Sequence, residues 1–404
     1  METLYMDLEV NPRVASMQPS ATLSMTARAK ARIREGYPVI GLSAGEPDFD
    51  TPRPIADAAI SAIQEGFTHY TENRGMLALR EAICEKLSRV NGITYSPDEI
   101  LCTNGAKQSI AQVLSVICTP GDKVLIPAPY WVSYPEQVRF AGGQPVIIPT
   151  TVESDYKMTA DELEAHITGQ TRALILCSPS NPTGSVYNPD ELRAFAEVLA
   201  RHPEVYIISD EIYEQIIYDA EHLSFGSIQG MKSRTITING FSKAYAMTGW
   251  RLGYLAADGQ IVKEAAKIQS QFTSAPSSIS QKAGIAALEM DPGPILEMVA
   301  AFRERRDFVL GALEALDDVR CPKPEGAFYV FPDISAHYGR STPSGDVIQN
   351  SEQMCYYLLD KFNVALVPGH AFGGPYGVRV SYAASLSDLE EAMRRIDAAF
   401  NSLT

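Results

Sequence analysis

The chain has 404 residues, 34 of them basic and 49 acidic, for a formal net charge of −15. Apolar residues make up 45% and charged residues 21%, the balance of a globular protein with room for two or three domain-sized units. The acidic excess argues against nucleic acid or an anionic membrane surface as partner, since phosphate binding needs clustered Lys and Arg. No window approaches the roughly 18 apolar residues of a transmembrane helix.

Residues 1–20 carry Glu2, Asp7 and Glu9 without a basic stretch leading into an apolar one. No secretory leader is expected, and the expected compartment is the cytoplasm, or an organelle after loss of a presequence. Ile55, Ala58, Ala59, Ala62 and Ile63 then recur at helical spacing behind Thr51 and Pro52. Strands are predicted at 100–103, 123–126, 144–148, 173–177, 205–209, 235–239 and 252–256, with helical segments such as 108–118 and 189–200 between them. This alternation implies an α/β fold with a mostly parallel sheet covered on both faces. A long helix over 293–316 leads to further strands at 328–331, 364–367 and 377–381, flanked by helices over 351–361 and 387–400. The expected division is an N-terminal segment (1–50) that joins a small α+β domain (296–404), with a large domain (51–295) between them. The six cysteines form no CxxC pair and the six histidines are scattered, so buried reduced thiols and no metal site are expected.

Five windows carry groups suited to chemistry. Lys243 stands just past a predicted strand end, beside Ser242 and eight residues before Arg251, which fits an amine nucleophile next to an anion site. A lone lysine of this kind is more often a solvated loop residue. Asp210 closes an apolar strand, with Tyr213 three residues on, and a carboxylate there needs a partner. The Asp-Glu pair also suits a magnesium acid of nucleotide hydrolases, but no GxxxxGK[ST] phosphate loop accompanies it. Asn181 lies in Ser180-Asn-Pro-Thr-Gly184, either a turn-stabilising residue or an amide held at the sheet edge. Gly105, Ala106 and Lys107 connect a strand to a helix, whose free N–H groups bind phosphate well. Arg379 interrupts an apolar strand, and must pair with a protein carboxylate or await one from a ligand.

Taken together, Gly105-Ala-Lys107, Asn181-Pro-Thr-Gly184, Asp210-Glu-Ile-Tyr213, Ser242-Lys243, Arg251 and Arg379 stand in the order found in class I/II aminotransferases. From about Pro19 onward the chain resembles these pyridoxal-phosphate-dependent enzymes of fold type I. The resemblance implies a large domain with a mostly parallel seven-stranded sheet and a small α+β domain. It implies pyridoxal 5'-phosphate as cofactor, with Lys243 bonding to its aldehyde and then moving protons. Asp210 would pair with the ring nitrogen. Asn181 and Tyr213 would bind the ring oxygen, and Trp131 would stack on the ring, although a tryptophan also suits core packing. Gly105, Ala106, Lys107, Ser242 and Arg251 would surround the phosphate. Arg379 would hold the substrate α-carboxylate with Asn181, beside backbone at Gly45. Tyr70 matches a tyrosine that reaches the neighbouring subunit's phosphate, which implies a homodimer with shared sites.

Within that family the windows Pro19-Ser-Ala-Thr22, Ala44–Pro52 and Gly105–Gln108 are similar to a bacterial and plant subgroup that includes aspartate and prephenate aminotransferases. There the positions of Thr22 and Lys107 help bind the distal carboxylate of acidic substrates. Gln18 departs from the subgroup, which often has a lysine there tied to prephenate use. Aspartate with 2-oxoglutarate is therefore the expected pair, with prephenate or aromatic amino acids next. A lyase or decarboxylase on the same fold shares this constellation. A non-catalytic ligand sensor would need a DNA-binding extension, yet the motifs begin near residue 19.

Overall fold

The computed structural model of the protein describes residues 9–404. Glu2 and Asp7 lie outside the described residues. After a short strand, β1 (Ile40–Gly41), come β2 (Ile100–Thr103), β3 (Lys123–Ala128), β4 (Gln144–Pro149), β5 (Thr171–Cys177), β6 (Tyr206–Asp210), β7 (Thr235–Gly240) and β8 (Gly253–Ala256). These seven form one sheet in the order β2-β8-β7-β6-β5-β3-β4. Only β8 runs against its neighbours; the other pairs are parallel. The central strands read as unbroken apolar runs, Ala173–Leu176 and Ile207–Ile208, because both of their faces are buried.

The first helices are α1 (Pro12–Ala15), α2 (Ala21–Arg34), α3 (Arg53–Gln64), α4 (Leu77–Asn91), α5 (Ala106–Ile117), α6 (Ser133–Phe140), α7 (Ala160–His166) and α8 (Pro189–Ala200). Then follow α9 (Gly259–Phe272), α10 (Ser278–Glu289), α11 (Gly293–Glu314), α12 (Ser351–Phe362) and α13 (Leu386–Asn401). On one face of the sheet, Ile110, Val113 and Leu114 of α5 and Val262 of α9 pack on Val124, Ile175 and Ile238. On the other, Leu192, Phe195 and Leu199 of α8 pack on Leu125, Leu174 and Ile207. Local sequence explains α8: Pro189 sits in its first turn, Asn188 and Glu191 form a reciprocal cap, and its apolar residues recur at helical spacing. Of the five positions read as one face of α3, Ile55, Ala59 and Ala62 are buried, whereas Ile63 is 54% exposed.

A second, smaller sheet has the order β11-β12-β9, all antiparallel, from β9 (Tyr329–Val330), β11 (Val367–Pro368) and β12 (Val378–Ser381). The single strand expected over 364–367 breaks at Leu366. Its first half, β10 (Val364–Ala365), pairs in parallel with β1, and its second half is β11. The apolar pattern alone cannot show such a division, since both halves are buried. Met25, Ala29 and Leu42 share one core with Phe302, Phe328, Leu358 and Ile396. Helix α11 reaches two cores: Ile295 belongs to that of α3, α4 and α10, and Met298, Phe302, Val309 and Leu313 to that of the small sheet.

Phe302 is wholly buried, with rings of Phe49 and Phe328 centred 5.4 and 5.2 Å away. Phe302→Ala is expected to lower the unfolding free energy by about 3–5 kcal/mol, read by urea titration of the intact protein.

Candidate active site

Parallel strands deliver their C-terminal ends to one side of the sheet. The chain leaves β3 for the edge strand β4 and returns to β5 on the other flank of β3, and a crevice opens at such a turning point. There lies a cavity of about 490 Å³. Its wall includes Thr22, Gly45, Gly105, Ala106, Lys107, Trp131, Asn181, Asp210, Tyr213, Ser242, Lys243, Arg251 and Arg379. Residues named from sequence positions up to 357 apart thus meet in one space.

The turn from β2 into α5 forms one end. Gly105 has φ +85°, and a Cβ there would lie 2.6 Å from the Arg251 guanidinium. A Cβ on Gly253 would lie 2.5 Å from the Ala106 nitrogen, so β8 passes directly beneath the turn. Arg251, itself left-handed at φ 57°, donates to the carbonyls of Thr248 (2.8 Å) and Asn104 (3.2 Å). Free amides at a helix start, a guanidinium and the Ser242 hydroxyl make an anion cradle.

Asp210 ends β6, in register with Cys177 of β5 and Ile238 of β7. The Tyr134 hydroxyl donates to it at 2.6 Å and the Ile212 amide at 3.3 Å. Burial raises this carboxyl to about 6, against the Tyr134 hydrogen bond, which favours the charged form. Lys243 stands three residues past β7, its Nζ donating to the Gly45 carbonyl at 2.5 Å. Burial, with Arg379 and Arg251 as like charges, pushes the amine down to about 8. A buried carboxylate facing a cavity and an amine partly neutral near pH 8 are an acid–base pair with shifts in opposite directions.

Arg379, on β12, is 1% exposed. It donates to Asn181 Oδ1 at 2.9 Å and to the Ser43 carbonyl at 2.7 Å, and lies 4.5 Å from the centre of the Tyr329 ring. Its Nε has no partner, and no ion pair forms there among the described residues. Asn181 therefore does more than stabilise a turn: it is buried and directs its amide oxygen to that guanidinium. The Tyr213 hydroxyl lies 2.9 Å from that of Tyr329, and burial pushes Tyr213 well above the ordinary phenol range. Trp131 is half-buried, with its ring edge-on to Tyr134 and the Lys107 ammonium 4.9 Å from its centre.

Tyr70 is not brought into this cavity. It is 97% exposed and lines a surface groove with Thr71 and Pro276. Sequence reading gave no role to Tyr134, Tyr329, Ser43 or Lys30, all of which touch the site or line its wall. Tyr134 stands three residues after Trp131, but nothing local shows that Asp210, 76 positions away, faces it.

The sequence profile of the family described as "Aminotransferase class I and II" matches residues 37–396. The chain belongs to the class I and II aminotransferases. It is 54% identical, over 98% of its length and 84% of the relative's, to the "Bifunctional aspartate aminotransferase and glutamate/aspartate-prephenate aminotransferase" of Petunia hybrida. It is 44% identical, over 96% and 99%, to the aspartate/prephenate aminotransferase of Nitrosomonas europaea. The crystal structure of the Rhizobium meliloti aspartate aminotransferase superposes with a TM-score of 0.95 at 45% identity, covering 98% of this chain and 100% of that one. The Thermus thermophilus aspartate aminotransferase with maleate gives 0.91 at 39%, covering 97% and 100%. The fold is thus that of fold type I, as the motifs implied. Enzymes of this family generally depend on pyridoxal 5'-phosphate and act on amino and oxo acids. Among the described residues no helix is long and apolar enough to cross a membrane.

Tyr134→Phe removes the one side-chain donor that favours ionised Asp210. The carboxyl then holds its proton to higher pH, so the acid limb of the kcat/KM profile is expected to move up by about one unit. An unmoved limb would show that Tyr134 has no hold on Asp210.

Proposed function

We propose that the protein is a pyridoxal-phosphate-dependent transaminase that passes the amino group of L-aspartate to 2-oxoglutarate. The observation that carries this reading is Arg379, a buried guanidinium with an open Nε and no protein carboxylate, at the edge of a cavity that also holds a buried amine. The side chains fit the cofactor by their chemistry. The cradle at Gly105 suits its phosphate: the φ of +85° there favours glycine, and a Cβ would push the Arg251 guanidinium aside. Asp210 faces the cavity without a cation of its own among the described residues and suits a protonated ring nitrogen. When bound, the cofactor supplies an aldehyde carbon to receive the amino group and a ring that withdraws electrons from the substrate Cα.

The chain's own residues do the rest. Arg379 grips the α-carboxylate in fork geometry, with Asn181 fixing the angle of the fork. Lys243, partly neutral at working pH, would take the proton from the substrate Cα and return it two bonds away, at the far side of the amino nitrogen. With the cofactor bound, Asp210 would keep the ring nitrogen charged, and Tyr213 and Asn181 would donate to the ring oxygen. Trp131, in the cavity wall, would cover one ring face and exclude water. Thr22 and Lys107 meet the second carboxylate. In support, relatives covering nearly the whole chain are named for aspartate, and a neighbour at 39% identity was crystallised with maleate, a dicarboxylate. Prephenate is the second reading, because several of the relatives are named for it as well. It ranks below aspartate here because Gln18 brings no cation; its backbone is tied to Glu136 and its side chain is absent from the cavity wall.

The same reading divides the chain into a large cofactor-binding unit (51–295) and a small one (296–404) joined by 1–50. It gives Tyr70 to the partner subunit's phosphate in a cytoplasmic homodimer.

The test is an absorption spectrum of cofactor-loaded protein before and after L-aspartate. A visible band that shifts to the aminated cofactor is expected. Lys243→Ala should lose that band and at least about a hundredfold in turnover. A band indifferent to aspartate but responsive to phenylalanine would reassign the donor. For the shared site, Tyr70→Ala and Lys243→Ala protomers are unfolded together and refolded. Hybrids carrying one intact site should bring activity to about a quarter of wild type. Verified hybrids with no recovery would assign Tyr70 to the site of its own subunit, and a Tyr70→Ala protein as active as wild type would place it outside the site.

A further inference from the structure

The cavity wall also carries Lys30, Glu46 and Thr26, which the roles above leave unused. Its charged side chains are Lys30, Lys107, Lys243, Arg251 and Arg379 against Glu46 and Asp210, five cations to two acids in a chain of net charge −15. Lys30 stands out on its own helix. Arg28 and Arg32 of α2 both pair with Asp360. Lys30, between them in sequence, has no ion pair among the described residues and lines the cavity instead. Thr22, Thr26 and Lys30 are four residues apart in turn and so form one stripe along α2, about 12 Å from first to last. Thr26 fixes the middle of the stripe: its hydroxyl lies 3.2 Å from that of Ser43, whose carbonyl holds Arg379. The stripe thus runs along the wall that anchors the α-carboxylate grip.

We propose that Lys30 is a specificity residue of this site, its ammonium pairing with the second carboxylate of dicarboxylic substrates together with Lys107. This rests on the dicarboxylate reading above. With the phosphate at Arg251, the α-carboxylate at Arg379 and Lys243 given to the cofactor aldehyde, Lys30 and Lys107 are the cations left in the wall, and Glu46 is the one acid there without an assigned role. A substrate with one carboxylate leaves both without a counter-charge, whereas aspartate and 2-oxoglutarate supply one. Lys30 is exposed to water, so its contribution is that of a screened ion pair and not of a buried one.

The experiment compares wild type, Lys30→Gln and Lys30→Arg as holoenzymes. It measures the ratio of kcat/KM for L-aspartate to that for L-alanine, and the inhibition constants of maleate and of a monocarboxylate. In Lys30→Gln the ratio should fall about two- to fivefold, through KM, and maleate should weaken to match, while Lys30→Arg keeps most of the ratio. A wild type that favours dicarboxylates and a Lys30→Gln variant that keeps the preference would overturn this proposal alone. A wild type without such a preference would overturn it together with the aspartate reading.

Discussion

Arg379 holds a charge in the interior without an acid to balance it. Removing an ion from water costs several kcal/mol even after the protein relaxes. The chain offsets that cost with partial charges from three separate places: the Ser43 carbonyl, the Asn181 amide oxygen and the face of Tyr329. Ser43 follows β1, Asn181 follows β5 of the large sheet, and Tyr329 is in β9 of the small one. The guanidinium is solvated only when these three meet. The demand on the fold is therefore geometric as much as hydrophobic, and the open Nε is the part of the demand that the protein leaves unmet.

Two neighbouring acids show how sharply this is controlled. Asp210 and Glu211 are consecutive and both buried. Glu211 accepts from Ser209, Ser224 and the Phe225 amide, with His222 at 3.3 Å. Glu214 beside it pairs with Lys86 and accepts from Asn91. That cluster is a satisfied network, and partners of this kind can make buried charge tolerable. Asp210 turns to the cavity, receives only a phenol and an amide, and is raised. Strand alternation sends adjacent side chains to opposite faces, so one residue step separates a settled carboxylate from an available one.

Much of this was legible in the sequence because it rests on local rules. The seven strands of the large sheet read as short β-branched runs, and helix α8 as the helical segment between two of them. Lys243, Arg251, Asn181 and Asp210 could be placed at strand ends, and strand ends converge in a parallel sheet. What stayed hidden depends on long-range register. No pattern near Leu366 says that its two sides serve different sheets. Nothing in residues 20–34 says which of four cations turns inward, since α2 is weakly amphipathic and Arg28, Lys30 and Arg32 look alike until Asp360 is folded beside them. Tyr70 is the converse case, for a single chain gives its ring nothing to touch.

The five cations of the cavity sit inside a molecule whose summed charge has the opposite sign. A dianion approaching from bulk solvent first meets repulsion, then attraction within the last few ångströms. Added salt does not treat these two stretches alike. At physiological ionic strength the screening length is about 8 Å, which erases the outer barrier while leaving close contacts in the cleft largely intact. Ligand encounter should therefore quicken, before it slows, as salt rises from very low values, the reverse of the monotonic decline that governs oppositely charged partners.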